Sequence, residues 1–183
     1  MIQSATMLQP SDIYVLCGLA AADEPSWTYR DLAKRLGVPH AMVQRALQRA
    51  RDADLYSSES RSVHRWNLEE FLLHSVRFVA PVKLGAVVPG VPAAWAAPPV
   101  SRRIRESGEL PPVWPAARAQ VRGQSLAPLH PSAVAAVEDF PRLGELLAIV
   151  DSLRAGDVRV RSVASKMLVE FLKRTAGSGL SRR

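Results

Sequence analysis

Thr28-Tyr-Arg-Asp-Leu-Ala-Lys-Arg-Leu-Gly-Val-Pro-His-Ala-Met-Val-Gln-Arg-Ala-Leu-Gln-Arg-Ala-Arg-Asp-Ala-Asp-Leu55 carries two helical signals separated by a break short enough to force a tight turn. Thr28 is a helix-capping residue type, and the helix it opens, Tyr29 to Leu36, turns Leu32, Ala33 and Leu36 inward. Gly37 then supplies the left-handed backbone that such a turn requires. Pro39 suits the first turn of the next helix, where its missing N–H costs nothing. That helix is predicted to cover about residues 39–53. Its apolar residues Val43, Ala46, Leu47 and Ala50 recur at i, i+3, i+4 and i+7, so the opposite face falls to Ala41, Arg45, Gln48 and Asp52, flanked by Gln44 and Arg49.

Working outward, Pro10-Ser11-Asp12 is a helix start, and Val15, Leu16, Leu19 and Ala20 fall on one stripe of a helix over residues 11–22. On the other side, Leu55 to Trp66 reads as two short strands around the polar turn Ser57-Ser58-Glu59-Ser60, with Val63 and Trp66 on the return. Asn67-Leu-Glu-Glu70 looks like a capping box for a fourth helix, whose apolar face is Leu68, Phe71, Leu72, Val76 and Val79 before Pro81.

The skeleton Leu32-Ala33, Leu36-Gly37-Val38, Val43, Ala46-Leu47 and Leu55 resembles the winged helix-turn-helix of bacterial regulators such as the MarR and GntR classes. The resemblance covers about residues 11–80, less than half the chain. Two positions depart from the family pattern: Asp54 stands where glycine is frequent, and Pro39 where serine or threonine is. The resemblance implies a transcriptional regulator that binds double-stranded DNA as a homodimer. Its recognition helix would enter the major groove, and residues 55–66 would form the wing. The base-reading residues would be His40, Ala41, Gln44, Arg45 and Gln48: arginine suits guanine, glutamine adenine, and alanine the thymine methyl. Thr28, Tyr29, Arg30 and Arg49 would grip phosphates, and Arg61 and Arg65 would carry the wing to the backbone or minor groove.

Composition agrees with a polyanionic partner. The 183 residues carry a formal charge of +7, with a pI near 10.3, and the excess rests mostly on arginine. It is uneven: residues 1–27 hold Asp12, Asp23 and Glu24 with no lysine or arginine, while residues 28–65 hold eight bases against four acids. The single cysteine, Cys17, excludes an intramolecular disulfide, lies in an apolar helix and argues for a cytoplasmic protein. No basic stretch followed by an apolar run marks a signal peptide. The longest uncharged segment, Leu84 to Ser101, contains Pro89, Pro92, Pro98 and Pro99, too many helix breakers for a membrane span.

Beyond Pro81 the texture changes, because ten of the 14 prolines lie between Pro81 and Pro131. Regular helices are not expected there, and the segment reads as an arm packed over the surface, a partner-binding element or a partly disordered stretch, its apolar content favouring packing. A small-molecule effector would also find its aromatic contacts here, in Trp95 and Trp114, although such residues more often anchor packing. Helices return over Ser132 to Glu138, Arg142 to Arg154 and Val158 to Arg174, with a turn at Ala155-Gly156. The last two form a helical hairpin with one apolar side, available either for dimerisation or to complete the core of its own monomer.

The expected fold is therefore mainly α with a small β-wing. Residues 1–80 form the DNA-binding unit, 81–131 a Pro-rich, Trp-containing arm, 132–176 the hairpin and 177–183 a frayed tail. His40, His64, His74 and His130 are spaced too widely to make a zinc pattern with Cys17, and no phosphate loop, nucleophile elbow or metal-carboxylate pair occurs. No enzymatic activity, metal or cofactor is expected. Asp151 to Arg161 reads as a charged helix end and turn. A second reading, from a different class, is an antitoxin-like or accessory protein whose 81–131 arm clasps a partner protein.

Overall fold

Helix α1 (Pro10–Ala22) is apolar around its whole circumference after Asp12, and such a helix must be buried on every side. In the computed structural model, which describes residues 7–22, 24, 26–104 and 110–177, every residue from Asp12 to Ala21 is buried. The expected stripe of Val15, Leu16, Leu19 and Ala20 is thus only half of its contact surface. A second layer covers the rest and is reached by Cys17, while the Tyr14 hydroxyl donates to Leu36 O at 2.9 Å.

That second layer is α7 (Pro141–Ala155), whose residues Leu146 to Arg154 are all buried. Against α1 also pack α2 (Tyr29–Leu36) and α3 (His40–Asp52), and against α7 packs α8 (Val158–Gly177). The C-terminal hairpin expected from the sequence is present, and its apolar side closes the core of its own chain. Its apolar face is therefore not left over for a second copy. Asp157 receives the Val160 N–H at 2.8 Å and starts α8.

Strands β1 (Tyr56–Ser57) and β2 (Ser62–Val63) form an antiparallel hairpin with Tyr56 opposite Val63. The return strand ends sooner than expected. Trp66 lies in the first turn of α4 (Arg65–His74), 72% exposed, and Asn67 donates to Asp54 instead of capping a helix. The fourth helix is also interrupted at Ser75, after which a single turn, α5 (Val76–Val79), completes it.

The Pro-rich segment departs most from expectation. It contains β3 (Val87–Pro92), β4 (Pro112–Pro115) and β5 (Val121–Ser125). β3 runs antiparallel to both others, and β4 lies parallel to β5, so the three strands close on themselves. The prolines have no N–H to give to the ladder, but their carbonyls take part in it: Pro89 O accepts the Ala116 N–H at 3.1 Å and Pro112 O the Ala93 N–H at 2.9 Å. Gly90 pairs with both Pro115 and Val121, and a Cβ there would collide with the Trp114 carbonyl oxygen. The segment is a small sheet with a turn of 3-10 helix, Ala94–Ala96, that packs against α7, where strands were not expected. Helix α6 (Ala133–Asp139) follows it and packs against α2. The tail from residue 178 onward lies outside the described residues.

A buried polar cluster joins these parts. Asp151 Oδ2 accepts the Trp114 indole N–H at 2.8 Å, and its Oδ1 accepts Arg154 Nη1 at 2.5 Å. The Arg154 guanidinium also donates to Ala80 O at 2.9 Å and Ala127 O at 3.3 Å. Asp151 and Arg154 are thus core residues, where a charged helix end was expected. Burial pushes the Asp151 carboxyl above its ordinary range, and the arginine opposes that shift. Removing one partner of such a pair strands the other charge, at a cost of about 3–5 kcal/mol. Arg154→Ala should therefore lower stability by that order, read as a fall in the urea midpoint at unchanged m-value.

Candidate nucleic-acid interface

The turn before α3 is built as its residues require. Thr28 Oγ1 accepts the Asp31 N–H at 3.1 Å and caps α2 from extended backbone. Gly37 adopts φ 64° and ψ 34°, the left-handed region, and Val38 N–H closes onto Ala33 O at 3.0 Å. Pro39 is extended and sits just before α3 rather than within its first turn. Ser132, from α6's N-terminal side, donates its hydroxyl to Gly37 O at 2.8 Å and braces the turn from outside.

Helix α3 buries Val43, Ala46, Leu47 and Ala50. Its other side exposes His40, Ala41, Gln44, Arg45 and Gln48 together, so the five residues predicted to read bases share one outward face. Among the described residues, Arg45 and Arg30 have no ion-pair partner and both are exposed. An exposed face of amide, guanidinium and methyl groups on a single helix can form hydrogen bonds and apolar contacts without first breaking internal ones.

The residues predicted to hold phosphates divide differently. Arg30 is free at the start of α2, and Thr28 and Tyr29 stand beside it, Thr28 exposed and Tyr29 half-buried. Arg49 is not available: it turns inward and forms a two-pronged pair with Asp12, Nε to Oδ2 at 2.7 Å and Nη2 to Oδ1 at 2.6 Å. Asp12 is fully buried and also accepts the Gln9 N–H at 2.8 Å, so one carboxylate starts α1 and fastens α3 to it. That hydrogen bonding pushes the Arg49 guanidinium further up. Arg65 points toward α8, donating to Leu172 O at 3.3 Å.

Arg61 is also engaged. Its Nη2 donates to Trp27 O at 2.7 Å, while the Trp27 indole N–H donates back to Arg61 O at 2.8 Å. The guanidinium lies 5.0 Å from the centre of the Trp27 ring and 5.8 Å from that of Tyr29. Trp27 meets Tyr29 edge-on at 5.4 Å, and Tyr29 meets His40 edge-on at 5.9 Å. Beneath them, burial pushes the Tyr56 phenol up to about 12, with the Tyr29 phenol acting in the same direction. The hairpin, the start of α2 and the first residue of α3 are consequently tied through aromatic rings.

Sequence reasoning missed Trp27 altogether, and its one signal is an apolar residue placed directly before a helix cap. At the base of the hairpin, Asp54 adopts φ 56°, the left-handed geometry for which glycine is frequent in the resembled family. Asn67 and His64 hold it there, the former donating to Asp54 O at 2.7 Å. Trp114, considered as an effector contact, is instead buried and bound to Asp151. Two open clefts lie elsewhere: one of about 480 Å³ is lined by Asp54, Asn67, Glu70 and His74, the other of about 430 Å³ by Arg142, Glu145, Phe171 and Arg174. No group of three or more metal-ligating side chains occurs among the described residues, and no described helix is long and apolar enough to cross a membrane.

Asp12→Ala should uncap α1 and release the partly exposed Arg49 guanidinium to solvent, destabilising the chain by about 1–2 kcal/mol. Arg49→Met should leave the enclosed Asp12 carboxylate without its guanidinium partner and destabilise the chain at least as much. Chemical denaturation at pH 7 measures both. No family model matches the chain, and neither does any curated protein or solved structure.

Proposed function

We propose that this chain is a winged helix-turn-helix protein that binds double-stranded DNA with sequence preference and regulates transcription. The observation that carries this reading is the outer face of α3, where His40, Ala41, Gln44, Arg45 and Gln48 are all exposed while every residue of the opposite stripe is buried. An α-helix fits the major groove, and residues near the start of the second helix of such a motif reach base edges. Arg45 pairs with guanine through O6 and N7, Gln44 or Gln48 with adenine, and Ala41 touches a thymine methyl. Each two-pronged contact contributes about 1–3 kcal/mol of discrimination. Arg30 and the backbone N–H groups opening α2 hold phosphates. The net charge of +7 supplies the non-specific attraction that precedes recognition.

The reading as a partner-clasping protein receives less support. An arm that folds onto a partner must be free to leave its own chain, and residues 81–131 bury Ala93, Ala94, Val100, Val113 and Trp114 in this one. A homodimer spanning two half-sites would have to form through a surface other than α7.

The test is fluorescence anisotropy against the chain's own upstream region and a scrambled duplex across a salt series. Preference for the native duplex should persist at physiological salt. Arg45→Ala and Gln44→Ala should flatten that preference. Arg30→Ala should instead weaken every duplex alike and reduce the slope of log affinity against log salt by about 1. Sequence-blind binding that vanishes with salt would refute the regulator reading.

A further inference from the structure

The hairpin tip holds an arginine in a conformation that glycine would adopt more cheaply. Four residues, Ser58 to Arg61, connect β1 to β2, and Arg61 closes the loop at φ 52°. Left-handed backbone is disfavoured for a residue with a Cβ, so an arginine persists there only where its side chain compensates. The compensation is visible: Arg61 and Trp27 exchange two hydrogen bonds, 2.7 and 2.8 Å, and the guanidinium lies over the Trp27 ring. Trp27 directly precedes the Thr28 cap of α2. The reciprocal pair therefore fixes where the hairpin stands relative to the start of α2, and through Tyr29 and His40 relative to α3.

We infer that Arg61 is a positioning residue, which locks the hairpin against α2 in advance of DNA binding and does not itself serve as a phosphate ligand. The inference rests on the DNA-binding reading and deepens it. Apart from Arg61, residues 57–62 are four serines and Glu59, so the tip carries no other cation. What the locked tip offers a duplex is hydroxyl groups, two of which, Ser60 and Ser62, already share a hydrogen bond at 2.8 Å. Their contribution is hydrogen bonding to phosphate or sugar oxygens at a preset distance, with little counterion release.

Three variants separate positioning from direct contact. Arg61→Gly suits the backbone but removes the guanidinium, Arg61→Lys keeps the charge without the planar fork, and Trp27→Phe removes the indole donor while leaving Arg61 in place. In the free protein, amide hydrogen exchange over residues 57–63 should accelerate in all three. Against duplex DNA, each should lose affinity roughly fivefold to tenfold, as the population with a correctly placed hairpin falls, at an unchanged salt slope. The lock is overturned if exchange is unaltered. A direct phosphate contact is indicated, and positioning overturned, if Arg61→Lys restores wild-type affinity or if Arg61→Gly lowers the salt slope by about 0.9. Should the wild-type chain bind no duplex, the functional proposal fails, while the exchange measurement still decides whether the lock exists.

Discussion

The carboxylate of Asp151 holds the molecule's separate stretches to one another. It sits on the central helix α7, fully enclosed, and a buried ionised group is tolerable only where its hydrogen-bonding capacity is met. Trp114 meets it from the sheet and Arg154 from the next turn of its own helix, and that arginine is in turn satisfied by the carbonyls of Ala80 and Ala127. The end of the N-terminal half, the start of the Pro-rich segment, its last loop and the C-terminal hairpin thereby converge on two charged side chains. Apolar contact would allow the sheet to slide over α7. The directional bonds of this cluster define one placement.

A second pair, the enclosed Asp12 with the half-buried Arg49, performs the same service for α1 and α3. Here the functional consequence is more direct, because α3 carries the candidate reading face. A recognition surface needs its side chains held to within fractions of an ångström of their targets, which asks for a rigid scaffold behind them. α3 receives that support from the Asp12 carboxylate behind and the aromatic chain of Trp27, Tyr29 and His40 at its first residue. Charge drawn inward in this way leaves fewer free cations on the surface than the composition suggests, and Arg45 and Arg30 carry correspondingly more of the outward chemistry.

The segment Thr28 to Leu55 was legible because its signals are local. A cap, a left-handed glycine and a stripe at helical spacing are decided within a few residues, and α2, Gly37, α3 and the exposed set around Arg45 followed from them. The sheet was not legible, since prolines in β3 and β4 argue against strands, and the closed ladder depends on pairings more than 20 residues apart. Arg49 was misjudged for a related reason. Its position at the flank of α3 is compatible with either side, and the partner that draws it inward lies 37 residues earlier. Likewise, Asp151 and Arg154 at i, i+3 after the apolar run Leu146 to Val150 are a visible pair, but only the surrounding burial distinguishes an internal brace from a solvated helix end.

Helix α1 lies between α3 on one side and α7 on the other. During synthesis it leaves the ribosome early and can find α2, α3 and the hairpin soon afterwards. Its second apolar side, Cys17 included, has no cover until α7 has emerged more than a hundred residues later. For that interval the nascent chain presents a half-built core, the kind of surface that holding chaperones recognise. A ribosome that stalls between these helices would release a chain with α3 already formed and an exposed apolar flank.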